Sequence, residues 1–116
     1  WMQIGPRHDV PEWNNKGRAS APLAGADAAD PAVWAISRFF VRMKARGQGL
    51  TRQLVAAGID HARRNGARLV EACPIDFSRD TRSLSLFVGS TRVFEGAGFR
   101  PVAARRPGRP LMRLEF

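Results

Sequence analysis

The chain has 116 residues, fewer than the roughly 150 typical of a domain, so we expect one domain over residues 1–116 and exclude a second. Hydrophobic residues make up 44% of it and charged residues 25%, which is typical of a globular protein and excludes a disordered or fibrous chain. The 19 Lys and Arg against 10 Asp and Glu give a net charge of +9. This charge favours a negatively charged partner, such as nucleic acid, an anionic membrane surface or a phosphorylated small molecule.

The cysteine content and the N-terminus indicate where the protein resides. A single cysteine, Cys73, excludes an internal disulfide, so the fold does not depend on an oxidising compartment. The sequence has no secretory pattern and no apolar run near the ~18 residues of a membrane helix. We therefore expect a cytoplasmic protein that does not enter a membrane. Because the chain begins with a strand-like segment at Trp1, we also expect that it lacks the N-terminal part of a longer sequence.

The first third of the chain predicts a strand, a loop and a second strand. Residues 1–4 are apolar and are followed by Gly5-Pro6, a dipeptide that usually ends a strand. Residues 5–33 contain few large apolar side chains and predict a long surface loop, a feature that is often either functional or disordered. Residues 33–41 are rich in β-branched and aromatic side chains and predict a strand.

The middle of the chain predicts a parallel strand-helix-strand unit. Residues 50–65 predict an amphipathic helix closed by Gly66, and residues 68–73 predict the second strand, ended by Pro74. The residues that share the apolar face of this helix are Leu50, Leu54, Ala57, Gly58 and Ala62. The predicted fold class is therefore α/β with a mixed central sheet.

The last third predicts a short helix and a hairpin. Residues 90–97 form the helix, with Ser90 as its N-cap and Gly98 after its end. Residues 100–104 and 111–116 form the hairpin, whose turn is centred on Pro107-Gly108, a pair suited to a type II turn. The arginines around this turn have few aromatic neighbours and no recognition helix. We interpret them as a charged tip that protects a sheet edge, so nucleic acid is not favoured as a partner.

The segment between the predicted strand at residues 33–41 and the predicted helix at residues 50–65 contains the candidate ligand-binding residues. Gly47 and Gly49 allow a close backbone approach, and the free N–H groups of the first helical turn suit an anion. Arg52 stands where a dinucleotide fingerprint requires glycine, and the Gly-Lys-Ser/Thr of a Walker A loop is absent. The structural alternative is that the two glycines only shape a tight turn.

Two motifs resemble a known family. The segment Arg46-Gly47-Gln48-Gly49-Leu50, which follows a strand and opens a helix, resembles the acyl-CoA pyrophosphate loop of the GNAT superfamily of N-acetyltransferases. The segment Phe94-Glu95-Gly96-Ala97-Gly98-Phe99 resembles the aromatic-Glu-x-x-Gly-Phe signature of that family, and the similarity extends over residues 34–99. The resemblance implies a GNAT-like fold and direct transfer of an acetyl group from acetyl-CoA to a primary amine, with backbone amides polarising the thioester. The cofactor-binding residues that it implies are Phe39, Phe40, Val41, Arg46, Gly47, Gln48, Gly49, Leu50, Thr51 and Phe94.

The chain departs from the family pattern at two positions. Thr51 stands where Gly or Ala is frequent, and its amide can still donate to a phosphate. Phe94 stands where many members have a tyrosine that protonates the departing thiolate, and this chain contains no tyrosine. A general acid contributes typically 10² to 10⁴-fold, so water or another residue must replace it or that factor is lost.

Two carboxylates are candidates for the base that accepts the amine proton. Glu71 interrupts an apolar strand, where partial burial would raise its pKa into a useful range. The structural alternative is an ion pair with one of the many arginines. Asp76, just after Pro74, is the second candidate.

The other nucleophilic and metal-ligating side chains favour structural roles. Cys73 is interpreted as a buried thiol rather than an acyl carrier. His8 and His61 are interpreted as solvated, and no metal is predicted. A second function class stays open, a non-catalytic basic module that senses acyl-CoA or associates with nucleic acid. The sequence also leaves open a homodimer, the identity of the acceptor amine, and whether the chain is active without the N-terminal part.

Overall fold

The computed structural model describes residues 1–39, 49–74 and 91–116. Within these ranges five strands form one sheet in the order β1-β2-β3-β5-β4, and two α-helices accompany it. No helix within the described ranges is both long and apolar enough to cross a membrane. The elements are β1 (Met2–Pro6), β2 (Val33–Phe39), α1 (Leu50–Arg64), β3 (Leu69–Ala72), α2 (Thr91–Gly96), β4 (Arg100–Ala103) and β5 (Leu111–Glu115).

The centre of the sheet is the predicted parallel unit. β2 and β3 run parallel, in a register that extends from Val33 opposite Leu69 to Ile36 opposite Ala72. The other three strands pair antiparallel, β1 with β2, β5 with β3, and β4 with β5. The predicted α/β class with a mixed central sheet is therefore confirmed.

The N-terminal strand extends two residues beyond its predicted end. β1 continues through Gly5 and Pro6, which lie opposite Ala35 and Trp34, so the prediction that this dipeptide ends the strand is wrong. Among the described strands β1 lies at an edge of the sheet. An edge strand tolerates proline because the N–H that proline lacks is not needed for pairing on the open side.

Helix α1 is confirmed, with a corrected buried face. It begins at Leu50 and ends at Arg64, and Gly66 after it has a φ of +85°. Its buried residues are Val55, Gly58 and Ala62. Leu50 and Ala57 are exposed instead of buried, because the helix presents the Val55 side to the core formed by the sheet and α2.

The two faces of the sheet are covered by different parts of the chain. On one face α1 and α2 pack over Trp34, Val70 and Met112. On the other face, residues that follow β1 supply Val10, Trp13 and Ala19, which pack against Ala35, Cys73 and Leu111. Alternation of side chains along each strand places these two sets on opposite faces.

The predicted surface loop is thus partly interior. It contains three short 3₁₀ turns, Arg7–Asp9, Pro11–Asn14 and Gly25–Ala28. Its low content of large apolar residues concealed this, because one tryptophan and several small or polar side chains provide the buried contacts.

The C-terminal elements follow the prediction closely. α2 covers Thr91–Gly96, and Gly98 after it has a φ of +100°. The predicted N-cap, Ser90, lies outside the described residues. The β4–β5 hairpin is confirmed, and Gly108 in its turn has a φ of +75°. The N–H of Arg109 donates to the carbonyl of Arg106 at 3.1 Å, which closes the turn as a type II turn requires.

The close approach of α1 to β1 generates a stability prediction. A Cβ atom on Gly58 would lie 2.3 Å from Cε of Met2 and 3.2 Å from Cδ1 of Ile4, whereas Ala57 on the same helix is exposed. Gly58→Leu should lower the free energy of unfolding in urea by about 1–3 kcal/mol through overpacking. The control Ala57→Leu should change it by less than about 0.5 kcal/mol. Equal effects of the two substitutions would contradict the packing of α1 on β1.

Candidate functional site

The start of α1 lies at the carboxyl edge of the central strands. In a parallel strand-helix-strand unit the connection leaves the carboxyl end of the first strand, and the helix returns antiparallel to it. Here the chain leaves β2 at Phe39 and enters α1 at Leu50. The predicted residues Phe40, Val41, Arg46, Gly47 and Gln48 belong to this connection and lie outside the described residues.

The first turn of α1 presents backbone donors. Gly49 precedes the helix with φ 77° and ψ 2°, and no side chain caps this end. The first intrahelical bond runs from the N–H of Gln53 to the carbonyl of Gly49 at 3.1 Å. The N–H groups of Leu50, Thr51 and Arg52 therefore have no partner in the helix. The first turn contains no acidic residue, so no side chain of that turn offsets its partial positive charge.

A cavity of ≈ 410 Å³ opens at this turn. Gly49, Thr51 and Arg52 line it from α1, and Val93 lines it from α2. The sequence did not single out Val93, although it directly precedes the motif residue Phe94. Leu50 is 37% exposed, whereas Phe94 is fully buried and stacks edge-on against Phe99 with ring centroids 5.1 Å apart. Phe94 therefore belongs to the core that supports this wall of the cavity.

The end of β2 carries a second unusual feature. Gln3 lies opposite Arg38 and Ile4 lies opposite Ile36, so Ser37 is a bulged residue without an opposite residue on β1. Its Oγ is buried and has no hydrogen-bond partner among the described residues. The pairing of β2 with β3 stops at Ile36, although β2 continues to Phe39. Bulges of this kind re-aim side chains and end pairing near functional sites.

Glu71 lies inside a network of arginines. It is fully buried, and its Oε1 accepts from Nη1 of Arg7 at 2.6 Å. Its Oε2 accepts from Nη2 of Arg113 at 3.0 Å, and the same nitrogen donates to Asp27 at 3.2 Å. The ion-pair alternative that the sequence left open is therefore present. Both carboxylate oxygens are engaged, and no solvent reaches them.

Arg7 joins this network to the segment after β1. It is fully buried, and burial lowers the pKa of its guanidinium although Glu71 opposes that shift. Its Nε donates to Oδ1 of Asn14 at 2.6 Å, and its Nη2 donates to the carbonyl of Ser20. The guanidinium also lies over the ring of Trp13, 4.7 Å from the centroid. The sequence indicated none of these contacts.

The other candidates are the thiol of Cys73, the two histidines and Asp76. Cys73 is buried, and burial raises the pKa of its thiol, so the thiol is protonated at neutral pH and is a poor nucleophile. His8 and His61 are exposed. Over the described ranges no three His, Cys, Asp or Glu side chains are grouped so that they could hold a metal ion. Asp76 lies outside those ranges.

The buried network predicts that loss of the Glu71 charge destabilises the fold. Glu71→Gln would leave two guanidinium groups facing a neutral amide, and breaking a buried pair costs about 3–5 kcal/mol. Glu115 pairs with Arg100 at 2.8 Å on the surface, so Glu115→Gln should cost less than about 1 kcal/mol. Urea unfolding of the two variants checks this difference. A Glu71→Gln protein as stable as the Glu115→Gln protein would contradict the network.

Comparison with known proteins identifies the family. Residues 10–88 match the family model described as the Acetyltransferase (GNAT) family. The match spans more than half of the chain and includes β2, α1 and β3, the elements that build the carboxyl edge described above. No curated protein and no solved structure matches the chain. The chain belongs to the GNAT family of acetyltransferases, which transfer acyl groups from acetyl-CoA.

Proposed function

We propose that this chain is an N-acetyltransferase that transfers the acetyl group of acetyl-CoA directly to a primary amine. The observation that carries the proposal is the cavity of ≈ 410 Å³ at the start of α1, which is lined by Arg52 and by residues whose backbone N–H groups have no partner within the helix. Family membership supports acetyl-CoA as the acyl donor. The net charge of +9 suits a polyanionic cofactor, because it attracts such a ligand over a long range.

The pyrophosphate of acetyl-CoA is proposed to bind at the first turn of α1. The amides of Gly49, Leu50 and Thr51, together with those of Arg46, Gly47 and Gln48, would donate to its oxygens. A phosphate at a helix N-terminus gains the dipole interaction and several amide hydrogen bonds. Arg52 adds a guanidinium at the same cavity, which strengthens these contacts through charge-assisted bonding.

The pantetheine arm is proposed to lie along the end of β2. Residues 37–39 extend past the last β2–β3 pair, so the described strands leave this backbone without a neighbour on the β3 side. Backbone groups of Phe39, Phe40 and Val41 would then bond the arm and polarise the thioester carbonyl. The buried Ser37 hydroxyl, which has no partner among the described residues, supports the presence of a polar ligand here. Phe94 is proposed to contribute by packing behind Val93.

The reaction needs one base and one proton for the leaving group. The neutral amine attacks the thioester carbonyl, the new C–N bond forms, and the C–S bond breaks. The amine gives up one proton to a base, and the departing thiolate receives one. Because both oxygens of Glu71 are held by guanidinium donors, we propose that Glu71 positions the neighbouring strands. Asp76 stays the proposed base, and water is proposed to protonate the thiolate because the chain has no tyrosine.

The assignment of the cofactor to α1 is tested by a matched pair of glycine variants. Gly49 and Gly66 both have positive φ, 77° and 85°, and a Cβ on either would meet open space. Gly49→Glu therefore strains the backbone as Gly66→Glu does, but only the former places a carboxylate among the proposed phosphate donors. In calorimetric titrations with acetyl-CoA, Gly49→Glu should weaken binding about 100-fold or more, and Gly66→Glu should leave it unchanged.

The salt dependence separates the proposal from the basic-module alternative. Binding to nucleic acid through phosphates weakens steeply with salt because counterions are released. Acetyl-CoA held in a cavity by directed hydrogen bonds should weaken less between low and moderate salt. Absence of saturable acetyl-CoA binding at both salt concentrations would overturn the proposed function. Binding without release of CoA in the presence of amines would favour a non-catalytic acyl-CoA sensor.

A further inference from the structure

A second cavity is lined by arginines and lies away from α1. Its volume is ≈ 260 Å³, and its lining residues are Arg18, Ala19, Ser20, Arg106 and Arg109. No acidic side chain from residues 1–39, 49–74 or 91–116 lines it. Its size is below that of most drug-sized ligand sites, which occupy about 300–1,000 Å³, so it suits a small ligand or one charged group of a larger ligand.

The arginines near this cavity fall into two groups. Arg105 connects the β4–β5 turn to the segment after β1, because its guanidinium donates to the carbonyls of Ala19, Ala21 and Pro22. The three lining arginines make fewer such bonds. Arg106 donates to the carbonyl of Gly17 at 2.9 Å, and Arg109 donates to that of Cys73 at 3.0 Å. Arg18 is exposed.

The three lining arginines are not neutralised within the described part of the chain. None of them forms an ion pair there, in contrast to Arg7, Arg68 and Arg113. The Nε–H of Arg109 is buried and has no acceptor in the same ranges. A buried donor without a partner is costly, and three guanidinium groups around one cavity repel each other. A ligand oxyanion would relieve both effects, because guanidinium groups bond carboxylates and phosphates with matching geometry.

The arginine cavity lies at the same edge of the sheet as the start of α1. The bond from Arg109 to the carbonyl of Cys73 places it at the carboxyl end of β3, which ends at Ala72. Ala19 in its lining belongs to the cluster with Cys73 and Ala35, on the face of the sheet opposite α1. Acetyl-CoA bound at the start of α1 and a ligand in the arginine cavity would therefore approach the carboxyl ends of β2 and β3 from opposite faces of the sheet.

We propose that the arginine cavity binds an anionic group, a carboxylate or a phosphate, of the acceptor amine. The acceptor would then be a small acidic amine, anchored by its anion at Arg18, Arg106 and Arg109 with its amino group directed toward the end of β2. The identification of this ligand as the acceptor amine rests on the proposed function. The anion site itself rests on the cavity, on three arginines that form no ion pair with a described residue, and on the Arg109 Nε–H, which has no acceptor among those residues.

The first test measures anion binding by itself. Inorganic phosphate and succinate are titrated into the full chain at constant ionic strength and followed by NMR. The wild-type protein should saturate with at least one of them, and Arg18→Gln should weaken that binding about tenfold, the loss of one charged hydrogen-bond partner. The control is Arg63→Gln, because Arg63 is an exposed arginine of α1 that stacks on Phe116 at 4.8 Å. It should bind like wild type. Failure to saturate, or equal affinity in all three proteins, would overturn the proposal.

The second test measures the choice of acceptor. Acetyl transfer is compared between glycine and glycinamide, and between O-phosphoethanolamine and ethanolamine, so that each pair differs in one anionic group. The wild-type kcat/KM should be higher for the anionic member of one pair, which identifies carboxylate or phosphate. Arg18→Gln should reduce that ratio about tenfold, and Arg63→Gln should not.

The two tests distinguish failure of this inference from failure of the proposed function. Acetyl transfer that ignores the charge of the acceptor would overturn the arginine cavity as an acceptor site and leave the proposed function intact. Anion binding that needs Arg18, in a protein that transfers no acetyl group to any amine, would overturn the proposed function and support the anion site alone.

Discussion

The buried contact between Arg7 and Glu71 connects the central sheet to the segment that follows β1. Glu71 lies in the central strand β3, and Arg7 follows the edge strand β1, 64 positions earlier in the sequence. Two fully buried charges are tolerated only when they are paired and their remaining hydrogen-bonding groups are satisfied. Asn14, Ser20, Arg113 and Asp27 complete that requirement. The pair therefore specifies one position for the segment that covers the second face of the sheet.

That covered face gives the carboxyl edge of the sheet two different sides. On one side α1 and α2 line the cavity at the helix start, whose first amides have no intrahelical partner, and on the other side the segment after β1 meets the β4–β5 turn to form the arginine cavity. Arg105 reinforces the second side by donating to three carbonyl groups of that segment, those of Ala19, Ala21 and Pro22. The ion-pair network thus fixes the segment that forms one wall of the arginine cavity.

The sequence predicted local elements well and long-range contacts poorly. Helix α1, the parallel β2–β3 pairing and the glycines after each helix followed from periodicity and from the conformational freedom of Gly66 and Gly98. The prediction of the buried face of α1 was partly wrong, because Val55 packs in the core and Leu50 and Ala57 are exposed. Sequence pattern ranks faces by hydrophobicity alone, whereas the orientation of a helix is set by the neighbours that it packs against.

Among the site residues, too, local features were predictable from the sequence and long-range contacts were not. The backbone donors of Leu50 and Thr51 could be predicted, since a helix start exposes its first amides by geometry alone. The partner of Glu71 could not, because many arginines were available and the choice of Arg7 and Arg113 depends on the whole fold. The Ser37 bulge and the meeting of Arg18 with Arg106 and Arg109 likewise arise from strand register and hairpin placement, which no local pattern encodes.

The most direct test of the account is an amide NMR titration of the chain with acetyl-CoA. If the cofactor binds at the start of α1, the largest saturable shifts among the helical amides should occur at Leu50, Thr51 and Arg52. The amides at the other end of the helix, near Arg63 and Gly66, should move little. Shifts concentrated at that far end, or no saturable shifts in α1, would contradict the account.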